Sequence, residues 1–385
     1  MKKNTRPSSL AGKKAITNVV TGGTLTALLV MLLLSCSNKN TASDDSDTTS
    51  TRDASDLKPA GPEPAWAPSM TDPMQVVIEK LTSYGTPPLP TLSAAQARQA
   101  PSPADAAMAV MQENNLPMPP ASVDTSGKDI SVQGGTIHLR VYTPKTGKAA
   151  YPVIVYYHGG GWVIANLDTY NASAQGLANQ VEAVVVSVAY RQAPEHKFPV
   201  AHNDSYAAYE WVVKNAASIK GDPKRIAVVG ESAGGNLAAA VSMMARDRKQ
   251  SLPVHEVLVY PIAGYDFNTE SYQKYTEAKP LNTGLMKWFF EKYLKSPADG
   301  ASPMISLVKA DLKGLPPTTI IAAELDPLAS EGETLSNQFK QAGVPVTYKQ
   351  YKGVTHEFFG MAAVVPEAKD AQGLASDELK KAFNK

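Results

Sequence analysis

Residues 226–235 read Ile-Ala-Val-Val-Gly-Glu-Ser-Ala-Gly-Gly, an apolar run that breaks at a glycine-flanked serine and continues at once into a small-residue helical pattern. Few chain paths fit this. A strand that turns abruptly into a helix strains its corner residue and pushes that side chain into the open, here the hydroxyl of Ser232. Gly230 and Gly234 keep side chains out of the corner. The stretch therefore predicts a strand, a sharp turn and a helix, with Ser232 as candidate nucleophile and Glu231 beside it. The pattern is short, so the argument rests on the residues that accompany it.

Upstream, residues 151–157 (Tyr-Pro-Val-Ile-Val-Tyr-Tyr) read as a buried strand running into His158-Gly159-Gly160-Gly161-Trp162. Three glycines leave backbone amides bare, and such a loop can aim N–H groups at a small anion. In acyl transfer that anion is the oxygen of a tetrahedral intermediate. A phosphate cradle is the other use of such a loop. No Lys-Ser or Lys-Thr follows the glycines, however, and no Gly-x-Gly-x-x-Gly occurs, so nucleotide binding has no support. His158 reads as ordering the loop rather than transferring a proton.

Downstream, Asp326 ends an apolar run (residues 318–325), and His356 follows another strand-like run (residues 345–352). In a triad His356 takes the proton from Ser232 and returns it to the leaving group, while Asp326 fixes the imidazole tautomer and stabilises the imidazolium. A lone histidine in Gly-Val-Thr-His-Glu-Phe is compatible with a loop cap, but its position after Ser232 and Asp326, each behind a strand-like run, favours the catalytic role. Glu324 is a rival acid, placed inside the run rather than in the freer loop beyond it. His138, His196, His202 and His255 read as structural. No His-Glu-x-x-His, no Cys-x-x-Cys and no paired-carboxylate spacing suggests a metal, and no cofactor is implied.

Residues 158–162 (HGGGW), 190–199 (YRQAPEHKFP), 222–240 (DPKRIAVVGESAGGNLAAA), 326–328 (DPL) and 356–358 (HEF) together resemble the hormone-sensitive-lipase-like (GDXG) branch of the α/β-hydrolase carboxylesterases. The resemblance runs from about Asp72 to the C-terminus. It implies an α/β-hydrolase fold and a serine carboxylesterase acting on short to medium acyl esters, with Ser232, Asp326 and His356 as triad. It also implies an oxyanion hole from the amides of Gly160, Gly161 and Ala233, with Gly159 as spacer. Three positions depart from the commoner wording: Glu231 where Asp often precedes the serine, Gln192 where Leu is usual, and Ser330 where an acid often follows. An amidase or peptidase, or a polysaccharide deacetylase, would use the same triad. A non-catalytic ligand-binding protein on this scaffold, like the plant gibberellin receptors that resemble this family, would lack the histidine that this chain retains.

Strand candidates at residues 128–133, 136–143, 151–157, 183–190, 225–230, 254–260, 318–325 and 345–352 alternate with helical patterns over most of their length. That alternation predicts a mostly parallel eight-stranded sheet covered on both faces. Residues 72–114, and an insert at 262–302 containing Trp288-Phe289-Phe290, are expected to form a helical cap over the serine. These aromatics are as readily explained by cap packing as by substrate contact. Together they make residues 69–385 a single catalytic domain, and 43% hydrophobic composition supplies the core it needs.

The N-terminus reads as a targeting segment. Lys2, Lys3, Arg6, Lys13 and Lys14 precede an apolar run at residues 25–34, too short for the about 20 apolar residues of a membrane span and right for a signal-peptide core of about 7 to 15. Leu33-Leu34-Ser35-Cys36 resembles a bacterial lipobox, which implies cleavage after residue 35 and a lipid on Cys36; Ser37 favours outer-membrane sorting. Cys36 is the only cysteine, so it cannot form an intramolecular disulfide, and tethering explains its place. Residues 36–68 are rich in Ser, Thr, Asp and Pro and read as a disordered tether. A formal net charge of +1 leaves no electrostatic footprint for nucleic acid. The oligomeric state is not legible.

Overall fold

The computed structural model describes residues 53–119 and 122–384. The signal peptide, Cys36 and the first part of the expected tether lie outside the described residues. Among the described residues, eight strands form one sheet in the order β1-β2-β4-β3-β5-β6-β7-β8. They are β1 (Val123–Val132), β2 (Gly135–Pro144), β3 (Tyr151–Tyr157), β4 (Val184–Ala189), β5 (Gly221–Glu231), β6 (Glu256–Val259), β7 (Thr318–Leu325) and β8 (Val346–Thr355). β1 and β2 form a hairpin, β2 pairs antiparallel with β4, and every later pairing is parallel. This is the mostly parallel eight-stranded sheet expected from the alternating pattern, and the α/β-hydrolase fold that the family resemblance implies.

The helices are α1 (Asp72–Ser83), α2 (Ala94–Ala97), α3 (Pro103–Glu113), α4 (Asn171–Val181), α5 (Val200–Asn215), α6 (Ala233–Asp247), α7 (Glu270–Lys274), α8 (Thr283–Tyr293), α9 (Ala329–Gln341) and α10 (Pro366–Phe383). They explain why the central strands read as unbroken apolar runs: both faces of the sheet are covered. Val153, Val155, Val184, Val186, Ile226 and Val228 enter one core with residues of α5, α6, α8 and α9. The alternate residues Ile154, Tyr156, Val185, Ala227 and Val229 enter a second with α1, α3, α4 and α10. β3 connects to β4 on one side while β5 lies on its other side, so a topological switch falls between β3 and β5. The crevice at the carboxyl ends there is where open α/β sheets bind ligands.

The first expected cap segment, residues 72–114, divides, and only part of it joins the second. α1 and α3 pack on each other and against β8 and the Phe358–Met361 turn, whereas α2 and the Leu89–Thr91 turn lie beside α8 and the glycine loop. Arg98, at the end of α2, anchors this second group. Its Nε donates to the Val163 carbonyl at 2.8 Å and Nη2 to that of Ala193 at 2.6 Å, while Nη1 and Nη2 pair with Glu195. Such a forked pair adds geometric definition as well as attraction.

Residues 53–68 differ from the tether expected of them. Leu57 is 3% exposed, Ala67 is buried, and the backbone amides of Ala60 and Gly61 donate to the Glu79 carboxylate. Gln75 Nε2 donates in turn to the carbonyls of Gly61 and Pro62. The composition averages out two features that decide the outcome. Isolated apolar anchors find the second core, and side chains from α1 satisfy a backbone that makes little regular structure of its own. If this segment belongs to the folded domain, Leu57→Ala should lower unfolding free energy by about 2 kcal/mol, at the low end for a buried leucine. Chemical denaturation would check this; an unchanged midpoint would mean that the contact contributes nothing.

Candidate active site

The turn between β5 and α6 is built as its glycines require. A Cβ on Gly234 would sit 1.9 Å from the Tyr157 carbonyl oxygen and 2.6 Å from that of His158, so only glycine lets the first turn of α6 lie against the end of β3. The approach brings the serine corner beside the glycine loop. Ser232 sits at φ 57°, ψ −118°, outside the ordinary regions for an L-residue. Its surroundings hold it there. Its amide donates to the Val259 carbonyl at 2.9 Å, and its own carbonyl accepts from Asn236 and Ile262 at 3.1 and 3.2 Å.

The loops after β5, β7 and β8 bring together Ser232, Asp326 and His356. His356 Nε2 lies 2.8 Å from Ser232 Oγ and Nδ1 lies 2.7 Å from Asp326 Oδ2, so a proton on Nδ1 is donated to the carboxylate and Nε2 accepts from the hydroxyl. Asp326 Oδ1 accepts from the Leu328 amide at 2.9 Å, which fixes the carboxylate plane. All three are buried, at 4%, 0% and 2% exposure for Ser232, Asp326 and His356. Burial alone would depress the imidazole pKa. The charge and hydrogen bond of Asp326, with Glu357 and Glu231 behind them, outweigh it and hold the pKa above its ordinary value. Glu324, the rival acid, is turned elsewhere: its carboxylate accepts from the Gly353 amide at 2.8 Å and the Lys352 ammonium at 3.2 Å.

Gly160 has φ 93°, and a Cβ there would lie 2.3 Å from the Ile164 carbonyl oxygen, so the loop after β3 can close only over glycine. Among the described residues, no acceptor pairs with the amides of Gly160, Gly161 or Ala233, the last at the start of α6 where helix amides lack internal partners. The loop is held from outside. Gln192 Nε2 donates to the carbonyls of Ile164 and Ala165, and the Ala193 amide to that of Trp162. His158 stacks on Tyr190 at 4.3 Å, and its Nδ1 donates to the Gly159 carbonyl at 2.8 Å. Burial lowers its pKa to about 4, so it orders the loop as a neutral ring.

Other contacts were not legible in the sequence. Phe289 of α8 packs its ring directly over Gly161, and Tyr293 stacks on Trp162 at 4.5 Å while its hydroxyl meets His202 Nδ1 at 2.7 Å. Glu231 is enclosed by Tyr156 and Tyr260. The signal that points to Tyr260 is its position at the carboxyl end of a strand next to β5, where side chains reach the ligand crevice. Among the described residues no group of three His, Cys, Asp or Glu side chains is placed to hold a metal ion.

Known proteins share this arrangement of chain. Residues 154–360 match a family model described as α/β hydrolase fold. Carboxylesterase NlhH of Mycobacterium tuberculosis is 39% identical over 252 residues, covering 64% of this chain and 79% of the relative. Ethyl acetate hydrolase of Pseudomonas putida is 32% identical over 250 residues, with 64% and 79% covered. The crystal structure of a thermostable esterase from Pseudomonas putida ECU1011 superposes with a TM-score of 0.75 at 32% identity, over 82% of this chain and 98% of that one. With the family model spanning more than half of its length, and relatives matched over most of theirs, the chain belongs to the α/β-hydrolase fold family.

Proposed function

We propose that the protein hydrolyses carboxylic esters of short to medium acyl chain by a two-step acyl transfer on Ser232. That it is a carboxylic ester hydrolase follows from its esterase relatives; the finer reading rests on one observation. Ser232 Oγ, the His356 imidazole and the Asp326 carboxylate form a continuous hydrogen-bonded chain of 2.8 and 2.7 Å beside amides that, among the described residues, have no partner. His356 removes the Ser232 proton as Oγ attacks the ester carbonyl, and the carbonyl oxygen gains negative charge toward the amides of Gly160, Gly161 and Ala233. Collapse of the intermediate releases the alcohol, which takes the proton from His356. Water then attacks the acyl-enzyme, giving its proton to the same imidazole, and the acid leaves as Ser232 is restored. Asp326 stays ionised and steadies the imidazolium in both halves.

We also propose that Cys36 carries a lipid that anchors the enzyme to the bacterial cell envelope, with the outer membrane as its destination. The lipobox-like residues 33–36 and the length of the apolar run support this.

Turnover across p-nitrophenyl esters from acetate to palmitate, with matched amides alongside, tests the reaction. Short chains should be favoured over palmitate and esters over amides. Ser232→Ala should lose at least about 10⁴-fold in turnover; a variant as active as the wild type would remove the serine from the mechanism. Because neutral His356 is the active form and its pKa is raised, kcat/KM should fall as pH drops, with a midpoint above 6.5. Asp326→Asn should cost about 10⁴-fold in kcat and move that midpoint to lower pH. An unmoved midpoint would mean that the carboxylate does not support the imidazolium. For the anchor, metabolic palmitate should label the wild type and not Cys36→Ala; equal labelling of both would place the lipid elsewhere.

A further inference from the structure

Behind the His356 imidazole lies a buried polar cluster that the Ser232–His356–Asp326 chain leaves unused. Glu231, the residue before Ser232, is buried, and its two carboxylate oxygens accept from the hydroxyls of Tyr156, at 2.5 Å, and Tyr260. Tyr260 follows β6 at φ 34°, a costly conformation for an aromatic residue, with its amide donating to the Ile321 carbonyl at 2.6 Å. That turn lays its ring against His356, centroid to centroid 4.4 Å. On the other side Tyr170 donates to Glu357 at 2.6 Å, and Glu357 Oε1 lies 3.9 Å from His356 Nε2. The titratable groups around Glu231 are thus Tyr156 of β3, Tyr170 before α4, Tyr260 after β6, Asp326 after β7, and His356 and Glu357 after β8.

A cluster of this kind is poorly explained by stability. Burying a carboxylate among phenols costs more than filling the same space with apolar side chains, so its gain lies in fixing one geometry. The geometry fixed here is that of a ring pressed on the imidazole.

We propose that Glu231 is a positioning residue for His356, anchoring the Tyr260 hydroxyl so that the Tyr260 ring braces the imidazole while the buried carboxylate adds to the field that stabilises the imidazolium. The inference rests on His356 serving as the base for Ser232, but on no particular ester. Burial and the neighbouring Glu357 charge push the Glu231 pKa up to about 7, against the opposing contacts of Ser173, Tyr156 and Tyr260. Removing the Glu231 charge makes the imidazolium less stable and lowers the His356 pKa.

The test joins steady-state kinetics on p-nitrophenyl butyrate to a ¹³Cε1 NMR titration of His356, whose resonance is assigned by its loss in His356→Gln. Glu231→Gln should lower kcat about tenfold with KM within about twofold, and should move the His356 midpoint to lower pH. Glu231→Asp, which keeps the charge, should hold the wild-type midpoint. Tyr260→Phe, which keeps the ring and loses the tie, should lower kcat similarly, and the double variant Glu231→Gln/Tyr260→Phe should be no slower than the slower single one. Independent, multiplying losses would overturn the proposal, as would a Glu231→Gln enzyme with wild-type kcat and midpoint. Should Glu231→Gln fail to fold, an unshifted midpoint in Glu231→Asp together with a reduced kcat in Tyr260→Phe supports the proposal, and wild-type kcat in Tyr260→Phe overturns it. The titration needs no substrate. A shifted midpoint in a protein without esterase activity would therefore sink the proposed reaction and leave this inference standing.

Discussion

The site depends on a backbone contact before it depends on any side chain. The first turn of α6 meets the carboxyl end of β3 so closely that a single methyl on Gly234 would overlap the Tyr157 carbonyl oxygen. Because β3 and β5 are hydrogen-bonded neighbours in the sheet, this contact converts strand adjacency into adjacency of the serine corner and the glycine loop. The strained Ser232 backbone is part of the same constraint. Its cost, of order 1 to 3 kcal/mol, is borne by hydrogen bonds to Asn236 in α6 and to Val259 and Ile262 at and just after the end of β6. A corner held this way turns its buried hydroxyl toward His356 and, among the described residues, leaves the amide of Ala233 unpaired in the same turn.

Much of this was legible in the sequence because it is written in backbone requirements. Glycines at 160 and 234 mark places where the chain passes too close to itself for any Cβ, and unbroken apolar runs mark strands covered on both faces. The order Ser232, Asp326, His356 needed only the expectation that each follows a strand. What the sequence did not reveal is carried by side chains whose partners are remote. Tyr156 and Tyr260 fall within strand-like runs, and nothing local distinguishes a phenol that anchors a carboxylate from one that only packs. Residues 53–68 misled for a related reason: a few anchors such as Leu57 decide whether a polar segment docks, and an average over composition conceals them.

The same reasoning separates the two parts of the expected cap. α1 and α3 bury apolar faces in the second core and serve the fold from the far side of the sheet. α2 and α8 sit where the glycine loop runs: Arg98 after α2 holds the loop through the Val163 carbonyl, and α8 is itself fixed by Lys197 to the Leu294 carbonyl and by the hydrogen bond of Tyr293 to His202 in α5. Phe289, packed over Gly161, then stands beside the amides that would receive the developing oxyanion. In the proposed reaction an aromatic wall there would limit water beside those amides and so strengthen the charge interactions among them. Any substrate carbonyl that reaches those amides must share that space with the Phe289 ring.

Burial makes the electrostatics of the imidazole decisive. A histidine this enclosed would favour the neutral ring, and a base that never accepts a proton is useless to a serine. Asp326 supplies the direct correction through Nδ1. Glu357 lies 3.9 Å from Nε2, and Glu231 lies behind Tyr260, so three carboxylates share one positive charge only while it exists. With the imidazole neutral nothing offsets the charge of Glu357, which adds to burial in pushing the Glu231 pKa up to about 7. In the proposed reaction, formation of the imidazolium would relieve the repulsion between these two carboxylates in the same step that the oxyanion develops. On the proposed mechanism the cluster would gain stability as the imidazolium forms, which is the direction in which an interaction must change to accelerate a reaction.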